Sequence, residues 1–170
     1  MSATIFGVGQ VSFKDGTNRK VMLDIMQEDT MWVAVPVNYF LASRLELCQV
    51  VFFSASFAIN EKKDFISDAL TMVEVSGKPS DPTYGLNLPD PSCPLIAITG
   101  CVSSSTLGSF DLNVTQYVSG SRHTFEFKVL LTSKKFATWA AVAQGSNISV
   151  VDTFQTLDES FGWMHWRSAH

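Results

Sequence analysis

Two stretches of alternating apolar and polar side chains stand out in the second half of the chain. From Phe110 to Val118, Phe110, Leu112, Val114 and Gln116 fall on one side, and Asp111, Asn113, Thr115 and Tyr117 on the other. From Thr124 to Leu131, Phe125, Phe127, Val129 and Leu131 fall inward, with Glu126, Lys128 and Leu130 outward. A period of two marks half-buried strands, and Ser119-Gly120-Ser121 between them reads as a hairpin turn. Upstream, Leu95 to Val102 is a β-run broken by Gly100, where a bulge or sharp coil is expected. A polar turn is expected over 103–108. Downstream the period lengthens. Phe136, Trp139, Ala140 and Ala143 stand at i, i+3, i+4 and i+7, which predicts a helix over 133–143. Thr132 or Ser133 can cap it and Gly145 can stop it. Residues 147–157 return to strand.

The first 76 residues repeat this rhythm less clearly. Strands are expected at Ile5–Phe13, Lys20–Gln27, Met31–Val37, Gln49–Ile59 and Ala69–Val75. Residues 38–47 read as a short helix with Asn38 as its cap, and 60–67 as a charged excursion. Gly7-Val8-Gly9 lies inside a β-run rather than opening a helix, so it reads as a strand bulge and not a dinucleotide-binding loop. Between the halves, residues 77–94 hold Pro79, Pro82, Pro89, Pro91 and Pro94. Proline cannot donate to a sheet ladder, so this stretch is a linker or a long surface connection. The domain reading is therefore 1–76, a linker over 77–94, and 95–170. Each unit has the size of a small five-stranded barrel.

Composition narrows the function classes. The 170 residues are 46% hydrophobic but only 16% charged, against about 25% in ordinary globular domains. The surface must then be covered by Ser, Thr, Asn and Gln, or partly by a partner. Twelve basic and sixteen acidic side chains give a net charge of −4, which argues against a strongly electrostatic nucleic-acid binder. The deficit is uneven. Residues 1–76 carry six basic and nine acidic groups (net −3), while 95–170 carry five of each (net zero). The second half is the better place for phosphate.

No window approaches the ~20 apolar residues of a membrane helix. The N-terminus has no basic region followed by an apolar run, so it reads as a natural start without a secretory signal. Cys48, Cys93 and Cys101 are widely spaced and odd in number, which supports neither a disulfide framework nor a zinc site. The expectation is an intracellular protein, nuclear or cytoplasmic, without cofactor or metal. The glycosylation sequons at Asn113 and Asn147 then have no role.

Residues 95–157 carry a strand ending in Gly100-Cys101-Val102, the 110–117 and 124–131 strands, the helix at 133–143, and the Gly145-to-Val150 entry into a further strand. This succession resembles the OB-fold single-stranded nucleic-acid-binding family, of the replication protein A and bacterial single-stranded DNA-binding type. The resemblance implies an all-β protein of two small OB-like five-stranded barrels in tandem, with residues 1–76 the weaker match. A single β-sandwich over the whole chain is the alternative architecture.

Aromatic side chains can stack on bases. Phe125 and Phe127 share the inward side with Val129 and Leu131 and are core candidates. Tyr117, on the polar side with Asn113 and Thr115, and Trp32, out of phase with Met31, Val33 and Val35, are the platform candidates. Arg122 and His123 at the hairpin tip, Lys128 on the outward side, and Lys134-Lys135 at the helix start could track phosphates. The nucleic-acid set is thus Asn113, Tyr117, Arg122, Lys128, Lys134 and Trp32. The C-terminal run from Phe161 to Arg167 holds Trp163 and Trp166, which either dock on the chain's own body or meet a partner. His123, His165 and His170 are the only histidines, and no nucleophile or carboxylate accompanies them in a known pattern. The reading is non-enzymatic binding of single-stranded nucleic acid with little sequence preference. The alternative is a protein-interaction or self-assembly module of a larger complex, with a protein partner or a homo-oligomer in place of nucleic acid.

Overall fold

The structure, a computed structural model, describes residues 1–16, 19–26, 32–39, 45–89, 92–131, 142–153, 156–158 and 163–165. It is all-β. Its strands are β1 (Ser2–Lys14), β2 (Lys20–Met26), β3 (Trp32–Asn38), β4 (Val50–Ile59), β5 (Phe65–Glu74), β6 (Leu95–Thr106), β7 (Ser109–Val118), β8 (Ser121–Leu130), β9 (Asn147–Thr153), β10 (Thr156–Asp158) and β11 (Trp163–His165).

The first five strands close on themselves. β1 pairs β2, β2 pairs β3, β3 meets β5, β5 pairs β4, and β4 returns to β1. Every step is antiparallel except β3–β5, which is parallel and rests on the single register pair Asn38 and Asp68. Alternation fills this barrel: Ile5 and Val11 of β1, Leu23 and Ile25 of β2, Val35 and Val37 of β3, and Phe53 and Phe57 of β4 are buried. The first half is therefore a closed barrel and not one layer of a sandwich.

The second half repeats the same local devices. β1 gives the early part of one edge to β6 (Ser2–Phe6) and the later part to β2 (Gly9–Lys14). β6 gives the early part of one edge to β1 and, from Cys101, the later part to β7. A glycine stands at each changeover. A Cβ on Gly7 would lie 2.9 Å from Pro94, where the chain enters β6, and one on Gly100 would lie 2.8 Å from the Asn113 carbonyl of β7. Each first strand then shifts register at a bulge, between Val11 and Phe13 and between Val102 and Ser104. Each is clasped by the turn before the fourth strand. Cys48 N donates to Val11 O and Val11 N to Gln49 O; Gly145 N donates to Val102 O and Val102 N to Ser146 O. Cys48 and Gly145 both hold a positive φ, 65° and 84°. In the second half β9 pairs the remaining edge of β6, as β4 pairs β1. The strands of this half do not close into a hydrogen-bonded ring among the described residues. β10 and β11 form a separate hairpin, with β11 beside β8.

One core runs through both halves. Phe57 of β4 stacks on Phe65 of β5, with ring centroids 5.2 Å apart, and meets Phe125 of β8 in a tilted contact at 6.1 Å. The connection over 77–94 is anchored to the body. The buried Tyr84 accepts a 2.8 Å hydrogen bond from Val50 N through its hydroxyl, and its ring lies where a Cβ on Gly77 (φ +110°) would stand, 2.9 Å away.

Several boundaries differ from the alternation-based reading. The polar run Ser103–Thr106 is strand, because after the bulge Ser103 Oγ donates to Asp111 O of β7; the turn shrinks to Leu107-Gly108. β5 begins at Phe65 because Phe65 and Ile66 complete the ladder with Ile59 and Ala58. The charged excursion is only a turn, in which Asn60 Oδ1 accepts from Lys62 N and Asp64 N. Asn38 is the last residue of β3, and its side-chain amide donates to Asp68 and Ser119. Residues 40–44 of the expected first helix, and 133–141 of the second, lie outside the described residues.

Candidate nucleic-acid interface

β7 and β8 form a regular antiparallel hairpin, and its outward face carries the polar residues of both alternating stretches. Four pairs run from tip to base: Tyr117 opposite Arg122, Thr115 opposite Thr124, Asn113 opposite Glu126, and Asp111 opposite Lys128. The inward side holds Leu112, Val114, Phe125, Phe127 and Val129, all buried. Burial of that side fixes the register, because a one-residue slip would turn the phenylalanines to water. The structure therefore brings Asn113, Tyr117, Arg122 and Lys128 onto one surface.

At the tip, Ser119 (φ 53°) and Gly120 (φ 77°) both sit in the left-handed region, as a two-residue hairpin turn requires. Ser119 tolerates this strain because it is held. Its N–H and Oγ donate to Asp68 Oδ2 and Oδ1 at 2.6 and 2.9 Å, and its Oγ also meets Asn38 Nδ2 at 2.7 Å. The hairpin tip is thereby fastened to the β3–β5 seam of the barrel. Tyr117 bends over the turn, donating through its hydroxyl to Gly120 O at 2.9 Å, and leaves 67% of its surface exposed.

Beside it lies an open groove of about 520 Å³ lined by Met1, Thr115, Gln116, Tyr117 and Arg122. Gln116 forms part of its wall, held where its Oε1 accepts from Ala3 N. Among the described residues neither Arg122 nor Lys128 makes an ion pair or a side-chain hydrogen bond. Two carboxylates share the face. Glu126 accepts from Ser103 Oγ at 2.8 Å, and Asp111 faces Lys128 without pairing to it. The face is charge-balanced, and neither cation is engaged by the described residues.

No protein-family model matches this chain, and no curated protein is similar to it. The site rests on its own geometry.

Trp32 stands apart from this cluster. It is 52% exposed at the start of β3, and six residues of strand, about 20 Å, separate it from Asn38 at the fastened end. It borders a second groove, of about 360 Å³, with Val8 and Gln10 of β1 and with Leu88 and Pro89 of the connection. Lys134 and Trp166 lie outside the described residues, as does the side chain of Trp163, whose backbone opens β11. His123 points inward beside Gln116, and its buried Nε2 has no partner among the described residues. No group of three metal-ligating side chains occurs among the described residues. No described helix is long and apolar enough to cross a membrane. Sequence reasoning missed Met1 and Gln116 as groove residues and the Asn38–Asp68–Ser119 fastening. All of these depend on contacts between distant parts of the chain.

Proposed function

We propose that the chain is a non-enzymatic binder of single-stranded nucleic acid, with little sequence preference, that uses the outward face of β7 and β8. One observation carries the reading: an exposed Tyr117 stands directly across from Arg122 at the mouth of a groove, with Lys128 on the same face and neither cation paired among the described residues. A base stacked on an aromatic ring gains roughly 1–3 kcal/mol regardless of its identity. Two free cations can follow the adjoining phosphates, while Asn113 offers a hydrogen bond to a base or sugar. The fold supports the reading as well. The ring β1-β2-β3-β5-β4 is a five-stranded barrel of the kind OB-folds use for oligonucleotides. The glycine changeover, the bulge and the clasp found in both halves support a tandem of two such units. The local charge balance makes the binding modest and salt-sensitive.

Fluorescence anisotropy with a labelled oligonucleotide, titrated across salt concentrations, tests this. The wild type binds at low salt. Replacing Arg122 and Lys128 together with Ala lowers the slope of log K against log[salt] by about 1.4, the value for two phosphate contacts on a single strand. The melting temperature stays unchanged, since both side chains point outward. Absence of any oligonucleotide affinity at low salt refutes the proposal.

A further inference from the structure

Across three strands of the ring, β5, β4 and β1, and into the second half runs a sheet face of a different kind. β5, β4, β1, β6 and β9 lie side by side in continuous hydrogen-bonded register. On their outward side Val73, Phe52 and Val8 are neighbours on β5, β4 and β1. One row on, Phe6 of β1 lies beside Leu95 of β6. A further row on, Val151 of β9 lies next to Ala97. Phe52 is 48% exposed, Val73 54% and Val151 64%. The outward positions among them on β4, β1, β6 and β9 are Ser, Thr and Ala, so from Val73 to Val151 these rows carry one charged side chain, Asp68 of β5, opposite Ser56 at the far end of the third row, where Asn38 and Ser119 already hold its carboxylate. The connection borders the face at one end, where Tyr84 binds Val50.

We infer that this face is where two copies of the chain associate, sheet against sheet. The charge pattern argues for a second copy. Each copy carries −4, and like-charged molecules approach at least cost where charge on the contact is sparsest; here it is confined to Asp68 at the β5 edge. A phosphate backbone, by contrast, would find no cation here, and an acidic peptide no counter-charge. The relief also suits self-packing. Large side chains (Phe52, Phe6, Leu95) alternate with small ones (Ser54, Thr4, Ala97), as interdigitating sheet faces require. Five strands at about 4.8 Å and some six residues at about 3.4 Å give roughly 500 Å² per copy. About 1,000 Å² in total is the lower bound for a specific interface, so the association is weak and concentration-dependent. It leaves the β7–β8 face free and does not depend on nucleic-acid binding.

Sedimentation velocity on the full chain over a hundredfold range of concentration tests this. The wild type moves from monomer toward dimer, and added sodium sulfate strengthens the shift, because salt screens the repulsion and favours apolar burial. Phe52→Lys and, separately, Val151→Lys hold the chain monomeric at the top concentration, with a circular-dichroism spectrum and melting temperature like those of the wild type. A wild type that stays monomeric throughout overturns the inference and leaves the face to a different partner. So does a dimer that persists in both variants, or one that dissociates as salt rises.

Discussion

Asp68 is the point on which barrel closure and the joining of the two halves both depend, and replacing it by Ala tests that directly. Its carboxylate accepts three hydrogen bonds: from Asn38 Nδ2 at 2.9 Å, from Ser119 Oγ at 2.9 Å and from Ser119 N at 2.6 Å. The site is only half-buried, so each bond contributes near the ordinary net value of about 1 kcal/mol rather than the larger value of a desolvated charged pair. Truncation should then cost about 2–3 kcal/mol. For a chain of this length each kcal/mol moves the midpoint by roughly 2–4 °C, so Tm should fall by about 4–12 °C. Urea unfolding supplies the free energy, and a double-mutant cycle with Ser119→Ala supplies the coupling. The Ser119 hydroxyl donates to Asp68, so the two losses should be non-additive by about 1 kcal/mol. Asp68→Ala within 0.5 kcal/mol of wild type, or strict additivity with Ser119→Ala, would refute the view that this cluster fastens the hairpin to the seam.

Two further outcomes follow from individual side chains. Phe127 is 2% exposed and sits opposite the fully buried Leu112; Phe127→Ala should destabilise by about 3–5 kcal/mol in urea unfolding, whereas a mutant with wild-type Tm and lost ligand binding would overturn the inward assignment of that side. In the connection, hydrogen bonds from Thr83 N–H and then from its hydroxyl hold the Asp81 carboxyl below the usual carboxylate value. The sign follows: the turn before Tyr84 is supported at neutral pH and loses that support as pH falls through the lowered pKa, so the Thr83 amide resonance should move there in an acid titration, and a carboxyl titrating above the ordinary range would contradict it.

Much of the strand pattern was legible because it is local. The alternation through Phe110–Val118 and Thr124–Leu131 gave the orientation of Tyr117, Lys128, Phe125 and Phe127, since burial of one side leaves a strand no choice of face. What stayed illegible was tertiary. The resemblance was clearest over 95–157, yet the closed ring lies in the first half. Closure there depends on Asn38 meeting Asp68, thirty residues away, and no spacing encodes that meeting. Gly7 and Gly100 look like bulge residues in the sequence. In the structure they stand where an edge passes from one neighbour to the next, with the actual bulges a few residues on. Cys48, which carries no turn signal, occupies the left-handed position that Gly145 holds in the other half, because the clasp onto Val11 demands it.

The low charged fraction acquires a location from the fold. A chain with few ionisable groups has to expose neutral surface somewhere, and strand alternation concentrates it on the outward rows of β5, β4, β1, β6 and β9. On the β7–β8 hairpin, by contrast, four charged side chains stand together, Arg122 and Lys128 interleaved with Glu126 and Asp111. These two faces obey opposite electrolyte laws. Binding through Arg122 and Lys128 releases counterions and weakens as salt rises, whereas contact through Phe52 and Val151 hides no charge and strengthens. Salt is thus a single variable that separates the two proposed activities in one sample. If self-association and oligonucleotide binding rose or fell together with ionic strength, both would have to be assigned to one face, and the division of labour argued from the two sheets would be untenable.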